Sequence, residues 1–276
     1  MPGLYEHDRE HGHPDAGAKP NGTADARGGG HTRRRAAAGA SVTTADLLSF
    51  PLTDSGNAER LIAAHGDGLR YVPPWDKWLA WNGARWVLEP RAGAVYRAAK
   101  KMVRSFQKRA IGDPEALMFA ARQESKKSLD AMVALARHER GVLAQHEDFD
   151  RNPMLLNVKN GTINLETGEL GHHRREDLIT KLAPVTYDPT AECPRFDRFL
   201  SEIMAGDEEL VAFLVVFLGY CLTGQTREHV LAFWHGPGGN GKGKLGAVML
   251  HLMGDYAGKA APDLLFRGER TDRHPT

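Results

Sequence analysis

The hydrophobic pattern divides the chain into stretches of different period. Residues 1–45 carry almost no large apolar side chain after Leu4 and Tyr5. Such a stretch buries too little surface to offset the entropy of ordering it, so it reads as a disordered tail. From Asp46 apolar positions return. Leu47-Leu48 and residues 58–64 predict short helices, with Thr44 or Asp54 as caps. Residues 69–88 hold Trp75, Trp78, Trp81 and Trp86, with Asn82-Gly83 between two Trp-rich runs, which predicts a β-hairpin. Residues 94–110 have helical period: Val95, Ala98, Ala99, Met102, Val103 and Phe106 form the apolar stripe. Asp113-Pro114 reads as an N-cap followed by proline in the first helical position. The helix it opens is expected to run to about His138, with Leu129, Met132, Val133 and Ala136 inside.

Past Asn152 the period falls to two. Residues 155–159, Asn160-Gly161, residues 162–165 and Thr167-Gly168 predict a meander with two tight turns. Pro184, Pro189 and Pro194 mark an extended connector that divides the chain. Two helices follow. Phe196, Phe199, Leu200 and Ile203 stripe the first, and Gly206 ends it. The second opens at Asp207, Glu208 and Glu209 and is expected to bury Leu210, Phe213, Leu214, Phe217 and Leu218. Then Val230, Leu231, Ala232, Phe233 and Trp234 have the length and composition of a buried strand. A glycine-rich turn and a helix striped by Leu245, Val248, Met249 and Leu252 come next, with Gly254 at its stop.

That last unit brings in chemistry. Gly236, Pro237, Gly238, Gly239, Asn240, Gly241, Lys242 and Gly243 satisfy G-x-x-x-x-G-K-[ST] through Lys242 and depart from it at Gly243. Glycines let several backbone N–H groups converge, and the new helix adds its positive end, so a phosphate chain is the natural ligand. Lys242 is the candidate catalytic residue, a point charge for the β- and γ-phosphates. The competing reading is a plain glycine-rich turn. Gly243 stands where a hydroxyl normally holds Mg²⁺.

Charge alters the picture at one helix. The chain of 276 residues is balanced, with 36 basic and 35 acidic residues, so net charge says nothing about nucleic acid. Residues 94–110, however, carry Arg97, Lys100, Lys101, Arg104 and Lys108 on their polar side and no acid. A solvated helix usually mixes signs, so a one-sign face suggests DNA, with a merely solvated face as the alternative. Arg33-Arg34-Arg35 has the same two readings. The four clustered tryptophans fit either the core of a small sheet, their commoner use, or a base-stacking platform. The His residues of the tail and His172-His173 lack ligand spacing, so no metal site is expected. Cys193 and Cys221 read as ordinary thiols of a reducing compartment. The longest apolar run, residues 210–222, falls short of the ~20 residues that span a bilayer, and the N-terminus shows no signal segment, so a soluble cytoplasmic protein is expected.

Several of these pieces together resemble a family. They are Gly56-Asn57-Ala58-Glu59-Arg60, Trp81-Asn82-Gly83-Ala84-Arg85-Trp86, the stretch 155–162, the stretch 174–181, the stretch 218–224, the phosphate loop, and Gly254-Asp255-Tyr256-Ala257. The chain resembles the phage and plasmid replication proteins of the P4 primase type over residues 54–276. The resemblance implies an α+β D5-like N-terminal domain at 46–190, then at 191–276 the start of an α/β P-loop (AAA+-like) superfamily 3 helicase domain. It implies an ATP-driven DNA helicase, with ATP and Mg²⁺ as cofactors and a hexameric ring as the assembly. Gly243 and Lys244 depart from the family pattern. In the family a His-Pro-Thr like that at 274–276 precedes the acidic Walker B strand, so the expectation is a truncated form with little or no ATPase activity alone. A primase domain is not expected before residue 46. The alternative is a non-enzymatic module that binds DNA or replication partners through residues 46–190, or a remnant without activity.

Overall fold

The computed structural model describes residues 46–261. The tail, Thr44, Arg33-Arg34-Arg35 and the His-Pro-Thr at 274–276 lie outside the described residues. Thr53 opens α1 (Asp54–His65), its hydroxyl accepting from the Gly56 N–H at 3.1 Å, so the cap lies one residue before the Asp54 expected for it. β1 (Leu69–Val72), β2 (Lys77–Trp81) and β3 (Trp86–Glu89) form an antiparallel sheet in that order. The Asn82-Gly83 hairpin is present, with a four-residue loop. Asn82 Oδ1 accepts from the N–H groups of Ala84 and Arg85, both at 2.9 Å, and Gly83 takes φ 102°.

Strand alternation splits this sheet between two cores. Leu69, Tyr71, Trp78 and Ala80 face α1, α2 (Gly93–Arg109), α3 (Pro114–Ala121) and α4 (Lys126–Ala136). Val72, Leu79 and Trp86 face the other way, onto Ala144 and Phe149. Trp78 and Trp86 are therefore core, Trp81 is half-buried and Trp75 is exposed. The expected single helix from Pro114 to about His138 is two. Residues 122–125 interrupt it, and Ser125 caps α4 by accepting from the Ser128 N–H at 3.2 Å. The break lets both helices pack on α2, with Leu129, Met132, Val133 and Ala136 buried as the pattern requires.

β4 (Leu155–Val158), β5 (Gly161–Asn164) and β6 (Glu169–Gly171) form the meander. Val158 pairs with Gly161, so the first turn is Lys159-Asn160, one residue before the expected Asn160-Gly161. The proline-rich connector runs along this sheet: Ala183 is buried against Leu156, Val158 and Ile163, and the Lys159 N–H donates to the Val185 carbonyl at 2.8 Å.

α5 (Pro194–Ile203) and α6 (Glu208–Leu222) are joined through Ala205 and Gly206 at φ 54° and 80°. α7 (Lys242–Met253) packs Leu245 against Leu200 and Leu214. Two expectations fail here. Of the five α6 residues expected inside, only Leu214 is buried, and Phe213 is 65% exposed. Residues 230–234 form no strand: all five are exposed and no described strand pairs with them. A strand of a parallel sheet is held by neighbours on both edges and helices on both faces. Among the described residues those neighbours are absent. The fold is mixed α+β with two small antiparallel sheets, and no P-loop ATPase sheet is evident among the described residues.

Candidate functional site

The glycine-rich loop is shaped by its glycines. Gly236, Gly239 and Gly241 take φ 142°, 81° and 83°, conformations that side chains resist. A Cβ on Gly236 would sit 2.5 Å from Asn240 Nδ2, and one on Gly241 would collide with Ile203 of α5. Gly238 and Gly243 face open space. Lys242 is the first residue of α7, and its ammonium donates to Asn240 Oδ1 at 2.6 Å, to the Gly236 carbonyl at 3.1 Å and to the Pro237 carbonyl at 3.4 Å. The loop curls around the charge of its own lysine. The lysine side chain borders a cavity of about 620 Å³ whose other walls are mainly apolar, among them Leu210, Phe213, Phe217, Phe233 and Trp234.

This arrangement fits a phosphate chain, with an apolar recess beside it for a flat ring. It fits Mg²⁺ poorly. Gly243 offers no hydroxyl, and among the described residues no carboxylate lines the cavity and no group of three or more His, Cys, Asp or Glu could hold a metal ion.

The basic residues of α2 sit together. Arg97, Lys100, Lys101, Arg104 and Lys108 line an open concavity of about 530 Å³ with Ser105, opposite the buried Val95, Ala99, Met102, Val103 and Phe106. Arg104 Nε donates to Glu124 at 2.7 Å, and Arg97 lies 3.7 Å from Glu89. Both acids belong to segments outside α2. His65 is held below the ordinary imidazole range, first by burial and then by the neighbouring charge of Lys101.

A polar centre that periodicity could not reveal lies between the two sheets. The Asn157 side chain, fully buried on β4, donates to the carbonyls of Ala84 at 3.1 Å and Lys181 at 2.9 Å. Its Oδ1 accepts from Thr162 at 3.2 Å and contacts His173 Nδ1 at 2.9 Å. Its backbone N–H donates to the Tyr256 hydroxyl at 3.0 Å. Arg85, in the hairpin loop, pairs with Asp255, and Asp255 also accepts from the Leu182 N–H at 3.1 Å. The turn that ends α7 is thus fastened to both sheets. Burial first, with smaller effects from Asp150 and Asp255, pushes the Tyr256 phenol up to about 12. Asn157, polar within an otherwise apolar strand, and the resemblance stretches holding Arg85, Lys181 and Asp255-Tyr256 were the sequence signals for this centre.

A second buried polar group explains the stretch around Asn57. Arg60 Nε donates to the Leu47 carbonyl at 2.7 Å, Nη1 to Pro51 at 2.9 Å and Asn57 at 3.2 Å, and Nη2 to Phe50. Its guanidinium lies 4.3 Å from the Phe106 ring centroid. Asn57 donates in turn to Gln123 at 3.0 Å. Burial lowers the pKa of Arg60.

These elements coincide with a recognised unit. Residues 58–205, more than half of the chain, match the family described as D5 N terminal like. The chain belongs to that family. The D5 N-terminal-like region begins within α1, runs through α5, takes in both sheets together with Arg60 and Asn157, and stops short of the glycine-rich loop and of Asp255 and Tyr256. The chain is also similar to the protein named "Putative helicase 121R" of Invertebrate iridescent virus 3, with 33% identity over 110 residues, 37% of this chain and 12% of that protein. The "Putative primase C962R" of African swine fever virus (isolate Tick/Malawi/Lil 20-1/1983) is 30% identical over 135 residues, 47% of this chain and 14% of that protein. The match spans no more than 14% of the length of these relatives. Among the described residues no helix is long and apolar enough to cross a membrane.

Proposed function

We propose that this chain is the D5 N-terminal-like part, with an attached ATP-binding loop, of a DNA-replication protein of the helicase kind. Lys242 carries the reading: a lysine opening a helix, wrapped by glycine-rich backbone and bordering an apolar recess. In the bound state its ammonium would exchange the Asn240, Gly236 and Pro237 oxygens for those of the β- and γ-phosphates. The amides of residues 238–243 would supply the remaining donors. The adenine ring would take the recess between α6 and residues 232–235.

Hydrolysis is a separate matter. Phosphoryl transfer draws on positioned charges and a group that orients water. The residues lining the cavity include no carboxylate for that task, so we propose binding with little turnover by this chain alone. DNA as partner, and a homo-oligomeric ring, are what the resemblance implies, and are part of the same proposal.

The test is titration of a fluorescent ATP analogue, with Mg²⁺ and with EDTA, into the native chain and Lys242→Ala. The native chain is expected to bind, and Lys242→Ala to bind at least about tenfold more weakly, since a charge-assisted contact contributes roughly 1.5–3 kcal/mol. Equal binding by both proteins would reject the phosphate-loop assignment. Phosphate release above background from the native chain would reject the proposal of binding without turnover.

A further inference from the structure

The polar side of α2 is a concave surface lined by five cations, and its layout states what it fits. Arg97, Lys100, Lys101, Arg104 and Lys108 follow helical spacing along one face. From residue 97 to 108 that face runs about 16 Å, at 1.5 Å per residue. Measured along the duplex axis, one strand rises about 3.4 Å per phosphate, so a face of that length meets several phosphates as the strand winds past it. Among the described residues Lys100, Lys101 and Lys108 form no ion pair, whereas Arg104 and Arg97 are engaged by Glu124 and Glu89. The concavity is lined by these cations and Ser105 alone. Among the described residues lining it there is no aromatic ring on which an unpaired base could stack, and the carboxylates beside it, Glu89 and Glu124, are engaged by Arg97 and Arg104. Behind it, Met102, Val103 and Phe106 are fully buried, so the face is mounted on a rigid core.

We infer that this face of α2 tracks the phosphate backbone of duplex DNA without reading its sequence, Lys100, Lys101 and Lys108 each neutralising one phosphate. The inference deepens the proposed function and rests on its claim that the protein acts on DNA. It assigns the D5 N-terminal-like region a DNA-holding task distinct from the glycine-rich loop.

The experiment is fluorescence anisotropy of a labelled 20-base-pair duplex, a 20-mer of thymidine and poly-glutamate with the native chain, from 50 to 200 mM KCl. The variants are Lys100→Gln/Lys101→Gln/Lys108→Gln and, as a control on the exposed start of α4, Lys126→Gln/Lys127→Gln. Glutamine is a good helix former, and circular dichroism checks that the helices persist. Each neutralised phosphate contributes about 0.9 to the slope of log affinity against log salt. The triple variant is therefore expected to lower the magnitude of that slope by about 2.7, and the α4 control to leave it unchanged. The native chain is expected to prefer duplex over the thymidine strand, and scrambling the duplex sequence to change nothing. Native binding to duplex with a slope unaltered in the triple variant overturns this inference and leaves the DNA reading standing. No native binding to either DNA overturns both. Preference for the single strand, or equal binding to poly-glutamate, overturns the assignment of the partner.

Discussion

The guanidinium of Arg60 is fully buried, forms no ion pair among the described residues, and meets four oxygens, three of them backbone carbonyls of residues 47–51. Only a planar group with five donors reaches all of them at once. Lysine would keep the charge and lose the geometry. Arg60→Lys is expected to cost on the order of 3 kcal/mol of folding free energy, the scale of leaving charged hydrogen bonds unmade in a buried site. Urea denaturation measures it, and a loss below about 1 kcal/mol would show that the segment before α1 contributes little. Asn157 and Tyr256 pose a different residue-level question, because the bond runs from a backbone N–H to a phenol whose pKa is pushed up to about 12. The folded pKa lies above the ordinary value of 10. The neutral phenol's contribution is therefore complete below about pH 10 and is lost as pH climbs through 10 toward 12. Lysines titrate in the same range, so the difference between native chain and Tyr256→Phe decides. The native chain is expected to lose more stability from pH 9 to 11.5 than Tyr256→Phe, and equal losses would place Tyr256 in water.

At the level of elements, α2 followed its apolar stripe and the break between α3 and α4 did not follow the pattern. Leu129, Met132, Val133 and Ala136 continue the apolar rhythm, so periodicity alone reads one helix from Pro114 onward. The interruption lies in Ser125, whose hydroxyl takes the Ser128 N–H and starts a new helix. Ser125→Ala is expected to remove about 1 kcal/mol and lower the melting temperature by about 2–4 °C. An unchanged melting temperature would mean that tertiary packing alone sets the start of α4. The meander shows the same precision. Strand existence was legible in 155–165, but the turn moved by one residue because Gly161 is needed inside β5, where a Cβ would strike the Gly171 carbonyl of β6.

At the scale of the whole molecule, α7 ties the glycine-rich loop to the polar centre between the two sheets. Its first residue is Lys242, and the turn after its last is held by Asn157, Arg85 and Leu182. A Cβ at Gly254, which takes φ 51°, would strike Pro184, so that glycine allows the close seating of α7 on the sheet of β4–β6. α6 and residues 230–234 contrast with it. Both are apolar enough to be interior and both are largely exposed among the described residues. Leu210, Phe213 and Phe217 of α6 share the wall of the cavity beside Lys242 with Phe233 and Trp234.

The sequence by itself determined the local items. These are the helix of Lys242, the α2 stripe and its cations, both hairpin-rich sheets, and the stretches that resemble the replication family. Each rests on short-range chemistry: periodicity, caps, and glycines where backbone must curl. Tertiary structure decided what depends on distant neighbours. It made cores of Trp78 and Trp86 while leaving Trp75 outside. It gathered Asn157, Arg85, Asp255 and Tyr256 from positions up to 170 residues apart. Among the described residues it also left 230–234 without strand partners, because a strand is stabilised by hydrogen bonds to other strands rather than by its own composition.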